Sequence, residues 1–559
     1  MAITSKKQII ILLIGLVLIL TACNGSKTEK QSTSSSPSQS QSSSAGQMEK
    51  IPISMFASPR ASVADLKTNW FTGYVEEKFG LDINWITAPS ADSKDKQSLL
   101  LASGDFPEVF WNGQFSPPEL MKYVQEGSVI AIDDLIKEYA PNVQKALDTI
   151  PGFKEALTAP DGRVYALPSY NYCLQCFFSN KIWINTKFLD EYGLQMPTTT
   201  EEFTNVLEVF KKNGKIPLTS AVDAAIGDPI PFLMNPFVYV DPKNYFIIKD
   251  GKVEFAPVQQ GWKDGLKYIN MLYQKGLIDR EAFSQKNEAL KKVVTEGKVG
   301  AFPNIFSGLV IDPTNPSYPD WRAMPPLKGP NGVQNVSFTG NLPNNLQFII
   351  TSKASKEQQI RIIKFMDYVY TPEGTETLNY GEEGKFWRKT KAGEMGIDGK
   401  QAMFNTEVDK FNTAGAKQND GWDQMGSFQS KEWRIGFSIV EPLYSPNGFQ
   451  GMLEYVTQKD YVGLQPQYVY PGLVWISSEE NQQYSILKTN IDSFVKQQTM
   501  EFITGDMSID KKWDEYVKDL EKLELAKYLQ IAQKNMKAPF DTSGYKQDSG
   551  AMEFLSTLE

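Results

Sequence analysis

Reactive side chains are scarce in this chain of 559 residues, which has three cysteines and no histidine. The lack of histidine excludes Ser-His-Asp and Cys-His catalysis, His-ligated zinc and the usual neutral-pH proton shuttle. The sequence also lacks a Gly-x-x-x-x-Gly-Lys-[Ser/Thr] phosphate loop and a Gly-x-Gly-x-x-Gly fingerprint after a strand. Carboxylate-only chemistry, such as glycoside hydrolysis by an acid/base pair, stays open because 66 aspartates and glutamates are present.

The first cysteine, Cys23, follows a basic start and an apolar run over residues 9–20. This arrangement predicts a secretory signal peptide, because about 12 apolar residues fall short of the roughly 20 that span a membrane. The Leu-Thr-Ala-Cys sequence that ends at Cys23 resembles the bacterial lipobox. The resemblance implies that residues 1–22 are removed and that the Cys23 thiol is acylated. We therefore expect a lipid-anchored protein on the extracellular face of the cell membrane.

Residues 23–50 contain the acylated cysteine and a stretch rich in serine, glutamine, threonine and lysine. Such a stretch has too little apolar surface to offset the entropy of ordering it, so we expect a flexible tether. Its root-mean-square reach is roughly 25–30 Å. We expect the tether to hold the globular body away from the membrane and to do no chemistry.

The other cysteines, Cys173 and Cys176, form a Cys-x-x-Cys pair within residues 170–178, which we interpret as extended chain. A four-ligand zinc site lacks further cysteine or histidine partners. A redox pair normally opens a helix, whose dipole lowers the thiol pKa. In a regular strand, residues three apart lie ~10 Å from each other, beyond the ~7 Å limit for bridging. A structural disulfide at a local turn and two free thiols both stay open.

The overall charge is acidic, with 57 lysines and arginines against 66 acids and a net charge of −9. Nucleic-acid binding depends on cationic contacts to phosphate, so this balance argues against it. The same balance argues against direct adsorption to an anionic membrane, which leaves the lipid anchor as the membrane contact.

Short β-like runs alternate with amphipathic helices, which predicts an α/β fold. In the first 60 residues after the tether the predicted elements are a strand at 51–56, a helix at 66–79, a strand at 81–85, a helix at 94–102 and a strand at 108–111. Two capping boxes, Thr-Thr-Glu-Glu at 199–202 and Ser-Lys-Glu-Gln at 355–358, predict the starts of later helices.

The order of several segments resembles extracellular solute-binding proteins of the maltose-binding-protein class, in particular the large oligosaccharide-binding lipoproteins of Gram-positive ABC importers. The segments are Ala-Ser-Gly-Asp-Phe-Pro-Glu at 102–108, Asp-Gly-Arg-Val-Tyr-Ala-Leu-Pro at 161–168, Trp-Ile-Asn-Thr-Lys-Phe-Leu at 183–189, Gln-Phe-Ile-Ile at 347–350 and Tyr-Thr-Pro-Glu-Gly at 370–374. The resemblance covers nearly all of residues 51–537.

The resemblance implies a two-lobed periplasmic-binding-protein-like α/β fold with a hinge and an interlobe cleft. We expect lobe one at 51–170 plus 342–385, lobe two at 171–341 plus 386–537, and a C-terminal tail at 538–559. Open α/β sheets usually bind ligands outside the carboxyl ends of their strands. The ligand-contact residues expected on this basis are Asp105, Trp111, Asn112, Gln114, Tyr170, Tyr172, Asn304, Phe306, Trp387 and Trp422.

The function that the resemblance implies is capture of an oligosaccharide and its delivery to an ABC permease by a monomeric protein without catalytic residues or cofactors. Aromatic rings suit the C–H faces of sugars, and polar side chains suit the hydroxyls. Some relatives that bind acidic oligosaccharides carry a calcium loop after the helix that follows Pro-Thr-Thr. Here residues 210–217 contain no carboxylate, so we expect no metal there. The alternatives are a peptide-binding lipoprotein and, less favoured, a lipid-anchored polysaccharide hydrolase.

Overall fold

Residues 48–340, 343, 345–406, 417–439 and 442–559 are described by a computed structural model. The chain divides into a unit of residues 1–47 and a unit of residues 48–559. Cys23, the signal segment and most of the tether lie outside the described residues. Among the helices that the structure describes, none combines the length and apolar character that a bilayer crossing requires.

The strands of the described residues are β1 (Ile51–Ala57), β2 (Leu81–Thr87), β3 (Val109–Phe110), β4 (Tyr170–Asn171), β5 (Ile182–Asn185), β6 (Ile216–Leu218), β7 (Phe246–Lys249), β8 (Lys252–Phe255), β9 (Val299–Pro303), β10 (Trp321–Ala323), β11 (Ile349–Ile350), β12 (Trp387–Lys389), β13 (Phe404–Thr406), β14 (Phe428–Gln429), β15 (Tyr468–Val469) and β16 (Phe540–Asp541).

The helices are α1 (Trp70–Phe79), α2 (Ser93–Ser103), α3 (Pro117–Gln125), α4 (Asp133–Tyr139), α5 (Pro141–Thr149), α6 (Phe153–Leu157), α7 (Leu174–Phe177), α8 (Thr186–Glu191), α9 (Thr200–Lys212), α10 (Ile230–Met234), α11 (Gln260–Gln274), α12 (Asn287–Thr295), α13 (Lys356–Val369), α14 (Pro372–Tyr380), α15 (Lys431–Ile435), α16 (Phe449–Asp460), α17 (Ser478–Thr504), α18 (Ile509–Lys522), α19 (Leu525–Asn535) and α20 (Ser549–Ser556). Short 3-10 helices lie at Ala256–Val258, Arg280–Phe283, Ser307–Leu309 and Tyr318–Asp320.

Two four-stranded sheets organise the molecule, which confirms the predicted two-lobed α/β class. The first sheet has the order β11-β3-β1-β2, with β1 parallel to β2 and β3 and with β11 antiparallel to β3. The second has the order β10-β5-β9-β6, with β6 parallel to β9 and with β5 antiparallel to both neighbours. Each sheet has its own buried apolar core, so each supports a separate lobe.

Local sequence signals set several element boundaries. Thr199 and Ser355 form complete capping boxes with Glu202 and Gln358, so the predicted starts of α9 and α13 are confirmed. The helix predicted at 66–79 begins later, at Trp70, because the Asn69 side chain accepts a hydrogen bond from the Phe71 N–H and caps it there.

The Cys-x-x-Cys segment is not the extended chain that the sequence predicts. Cys173 precedes the single helical turn α7, and the Phe177 N–H donates to the Cys173 carbonyl at 3.2 Å. The turn brings the two Cα atoms to 5.1 Å, and a disulfide joins Cys173 to Cys176. The predicted requirement for a local turn explains why the disulfide and α7 occur together.

Candidate ligand-binding site

The strand carboxyl ends of the first sheet are held together by one amide. Because β1 and β3 are parallel, Ser58 and Asn112 leave the sheet at the same edge. The Ser58 N–H donates to Asn112 Oδ1 at 2.8 Å, and Asn112 Nδ2 donates to the Ser58 carbonyl at 2.8 Å. Both polar atoms of this predicted ligand contact therefore join the two loops that form the edge.

Trp111, an expected ligand contact, is fully buried and presents no surface to a ligand. Its side chain has 0% exposure, stacks on Phe365 at 4.6 Å and donates from Nε1 to the Met425 carbonyl at 2.9 Å. Gly426 makes this packing feasible, because a Cβ at that position would meet Trp111 Nε1 at 2.4 Å. The indole belongs to the first core, where it fixes residues 422–426 over the strand ends.

The other two predicted tryptophans are also buried. Trp422 has 0% exposure, meets Trp111 edge-on at 5.3 Å and donates to Thr72 Oγ1 at 3.0 Å. Trp387 has 4% exposure and donates to the Gly381 carbonyl at 2.8 Å. The glycine-rich segments that precede Trp387 and Trp422 in the sequence allow the chain to turn inward. Such segments therefore do not indicate exposed loops here.

Asp105 and Gln114 lie on opposite sides of β3. Asp105 comes before β3, at the amino end of the strand, which contradicts its predicted place at a carboxyl end. Its exposed carboxylate pairs with Lys353 at 3.6 Å. Gln114 follows β3 and is exposed at the predicted edge of the sheet. Its backbone N–H donates to Gln97 Oε1 at 2.7 Å.

Asn304 and Phe306 lie where β9 ends in the second sheet. The Asn304 carbonyl accepts from Trp183 Nε1 at 2.9 Å, whereas its buried Nδ2 has no hydrogen-bond partner within the described residues. Phe306 is half-buried and stacks on Phe449 at 5.1 Å. A partly open aromatic face at a strand end is suitable for contacting the apolar face of a ring-shaped ligand.

Exposed apolar side chains, which no sequence pattern marked, extend this edge of the second sheet. Val222 and Ile226 follow β6 with exposures of 55% and 39%, and Leu309 follows β9 with 44%. The Ile305 N–H donates to the Ala225 carbonyl at 3.5 Å and joins these two loops. Position after a strand end is the signal that singles them out, because exposed apolar residues elsewhere need no explanation.

Three chain segments pass side by side between the lobes and form the hinge. β4 pairs in parallel with β14, with the Tyr172 N–H donating to the Gln429 carbonyl at 2.8 Å. Thr339 and Phe348 belong to the third segment. Phe348 forms a β-bridge with Leu167, and the Thr339 N–H donates to the Phe177 carbonyl at 3.0 Å. Such a bundle of crossings lets two lobes rotate about a few backbone positions.

Tyr170 and Tyr172, both expected from the sequence as ligand contacts, lie on the hinge and line one cavity of about 300 Å³. Phe428 packs parallel to Tyr170 at 4.9 Å. The cavity wall also includes α5 residues and the start of α15, but none of Ser58, Asn112, Asn304 and Phe306. We call it the hinge cavity.

Buried charges surround the hinge, and nothing in the sequence marked them. Arg434 Nε donates to the Tyr172 carbonyl at 3.2 Å, and burial lowers the pKa of the guanidinium. Lys181 donates to the Phe178 carbonyl, and burial lowers its pKa to about 7. Burial raises the pKa of the Glu454 carboxyl, which accepts from Gln458 at 3.0 Å. These groups fix the crossing segments rather than offering free ligands.

Glu376 gives a pH-dependent prediction. Its carboxyl is fully buried, accepts from Thr406 Oγ1 at 2.7 Å and Trp433 Nε1 at 2.9 Å, and burial raises its pKa from 4.5 to about 8. The folded state therefore keeps a proton that the unfolded state loses, so this stabilisation is complete below pH 4.5 and declines as pH rises through about 8.

As pH rises from 5 to 8.5, wild type should lose about 2–4 kcal/mol of its free energy of unfolding that Glu376→Gln keeps. The difference in stability between the two proteins should therefore shift by that amount in favour of the variant. Urea unfolding at both pH values measures this change, and Glu382→Gln, at an exposed position, controls for net charge. A difference between Glu376→Gln and wild type that does not change with pH would contradict the assignment.

Metal ligands are not grouped in the described part of the chain. No set of three or more cysteine, aspartate and glutamate side chains there is placed to hold an ion. α9 ends at Lys212 and β6 begins at Ile216, so only a short connection lies where some relatives carry a calcium loop.

Comparisons with known proteins give one family. The model for bacterial extracellular solute-binding proteins matches residues 64–376. The fructooligosaccharide ABC transporter substrate-binding protein FusA of Streptococcus pneumoniae is 28% identical over 86% of this chain and 89% of its own length. The polygalacturonan/rhamnogalacturonan-binding protein YtcQ of Bacillus subtilis is 24% identical over 55% of this chain and 61% of its own length.

Solved structures share the fold. FusA of S. pneumoniae in complex with kestose matches with a TM-score of 0.66 and 24% identity, over 87% of this chain and 98% of that chain. An HMO-binding, ABC-transporter-associated solute-binding protein from Bifidobacterium longum infantis matches with a TM-score of 0.68 and 19% identity, over 87% of this chain and 98% of that chain.

Proposed function

This chain belongs to the bacterial extracellular solute-binding protein family, and we propose that it captures an extracellular oligosaccharide and delivers it to the permease of an ABC importer. The observation that carries the proposal is a pair of four-stranded sheets connected by crossing segments, as in a two-lobed solute-binding fold. Ligand in such a cleft favours the closed state by contacting both lobes at once.

An oligosaccharide is the ligand class that best fits the relatives and the cleft together. One relative that aligns over most of both chains is a fructooligosaccharide ABC transporter substrate-binding protein. At the second edge, Phe306 and the exposed apolar residues of the β6 loop suit the C–H faces of sugar rings.

We also propose that the protein works as a monomer on a lipid anchor at Cys23, without metal, cofactor or catalysis. The lipobox-like sequence supports the anchor. The family and its relatives are binding proteins, which supports the absence of turnover.

The lobe boundaries at 51–170 plus 342–385 and at 171–341 plus 386–537 remain proposals. The first core also contains Trp422, Phe428, Leu473 and Trp475, so parts of the later chain pack with the first sheet. A boundary drawn by packing would therefore assign these residues to lobe one.

A thermal-shift screen tests the ligand class. The mature chain is heated with fructooligosaccharides such as kestose, with other neutral and acidic oligosaccharides, and with peptides at equal concentration. A ligand at 100 times its Kd stabilises the folded state by about 2.7 kcal/mol. Stabilisation by oligosaccharides alone supports the proposal, whereas stabilisation by peptides alone would establish a peptide-binding lipoprotein.

A further inference from the structure

The Cys173–Cys176 disulfide lies where the chain leaves the hinge. Tyr172 ends the first crossing segment, and its N–H donates to the Gln429 carbonyl of the second segment. Cys173 follows directly, has 2% exposure and forms the disulfide with the half-buried Cys176. A disulfide that closes so short a loop removes less entropy from the unfolded chain than one that closes a long loop. Its position therefore indicates a local role at the hinge.

The turn that the disulfide closes also contacts the third crossing segment. The carbonyl of Phe177, the last residue of α7, accepts a hydrogen bond from the Thr339 N–H at 3.0 Å. The Phe177 ring meets Tyr172 edge-on at 5.6 Å and Phe338 edge-on at 6.3 Å. Because Phe338 and Thr339 belong to the third segment, α7 connects that segment to the first.

Two restraints act directly on the backbone of α7. This helix has four residues, and Cys173 at its start makes no side-chain capping hydrogen bond. Isolated helices of this length are unstable in water, because nucleation costs more than one turn returns. After the turn, the buried Lys181 side chain donates to the Gln175 and Phe178 carbonyls. The disulfide thus holds the start of α7 and Lys181 holds its end, so a broken disulfide frees only the start.

We infer that this disulfide is a redox-sensitive clasp of the hinge, which keeps the first and third crossing segments in register while it is oxidised. A dithiol opens the clasp by exchange. The two sulfurs of the dithiol form a new disulfide, and two electrons and two protons pass to Cys173 and Cys176, which become thiols. The crossing segments then move more independently. Closure on a ligand must order this more mobile hinge, which costs conformational entropy and lowers affinity.

Hydrogen–deuterium exchange of the mature chain before and after treatment with dithiothreitol tests the clasp without a ligand. We expect the amides of Tyr172 and Thr339 to exchange about tenfold faster after reduction, because their hydrogen bonds open more often. The amide of Met55, which lies in β1 within the first core, should not change. The double variant Cys173→Ser/Cys176→Ser should show the faster exchange with and without dithiothreitol.

Three results overturn the clasp. One is equal exchange of the hinge amides before and after reduction, and another is a disulfide that dithiothreitol does not reduce in the folded chain. The third is faster exchange of Met55 together with the hinge amides, because the disulfide would then support the whole fold. The comparison of oxidised and reduced wild type decides the matter even if the double variant does not fold.

Ligand affinity gives a second readout, and this part rests on the proposed function. Oxidised wild type should bind a fructooligosaccharide about three- to tenfold more tightly than reduced wild type. If oxidised wild type binds no oligosaccharide, the proposed function fails, whereas exchange of the hinge amides still tests the clasp. Equal affinity of the oxidised and reduced proteins would overturn the coupling of the clasp to ligand capture.

Discussion

Replacing Trp111 with alanine is expected to lower the free energy of unfolding by about 3–5 kcal/mol, as for other fully buried tryptophans. The indole stacks on Phe365, meets Trp422 edge-on and donates to the Met425 carbonyl. The variant therefore loses apolar contacts and leaves both a cavity and an unpaired carbonyl. Affinity of the remaining folded protein for oligosaccharide should stay close to wild type. Chemical unfolding and calorimetry on the same sample measure both quantities.

Phe306→Ala is the matched control for this experiment. Phe306 is a half-buried aromatic at the end of β9, so its removal should lower stability by only about 1–2 kcal/mol. It should weaken oligosaccharide binding roughly tenfold, because a stacking face is lost. The opposite pattern, in which Trp111→Ala keeps its stability but binds oligosaccharide weakly, would place Trp111 in the ligand cleft and refute its assignment to the core.

The variant Cys23→Ala is expected to lose lipid modification completely. The Cys23 thiol is the proposed point of lipid attachment, and no other residue of the Leu-Thr-Ala-Cys sequence has a thiol. Growth with an alkyne-tagged fatty acid and detergent phase partition measure the change. Wild type should be labelled and partition with detergent, whereas Cys23→Ala should be unlabelled and released or mislocalised.

Cys173→Ala provides the control for this labelling, because Cys173 is buried in a disulfide with Cys176. It should be labelled like wild type. Oligosaccharide affinity should not change in Cys23→Ala, because the tether separates anchor and cleft. Unlabelled wild-type protein would contradict the anchor.

Local signals predicted local structure well. The strand predicted at 51–56 is β1 at Ile51–Ala57. Alternating apolar residues are typical of a strand that buries one face of its sheet. The capping boxes placed two helix starts because the cap and the third helical residue bind each other's backbone. The order of the family-like segments along the chain then indicated the family, because strands and helices follow one another in a fixed order in each lobe.

Burial of individual aromatic residues was not predictable in the same way. Trp111 follows a strand end, as a ligand-binding tryptophan would, and only the distant segment 422–426 covers it. The hinge cavity likewise joins Tyr170, Tyr370 and Phe428, which are far apart in sequence. Such sites depend on long-range packing, and no window of sequence contains the information.

The most direct test of the central claim is isothermal titration of the mature, unlipidated chain with fructooligosaccharides of defined length, followed by product analysis of the same samples. The predicted result is saturable one-to-one binding with a micromolar Kd, about −8 kcal/mol, and ligand recovered intact. Release of shorter sugars would instead identify a hydrolase, and a lack of heat with every oligosaccharide tested would contradict oligosaccharide capture.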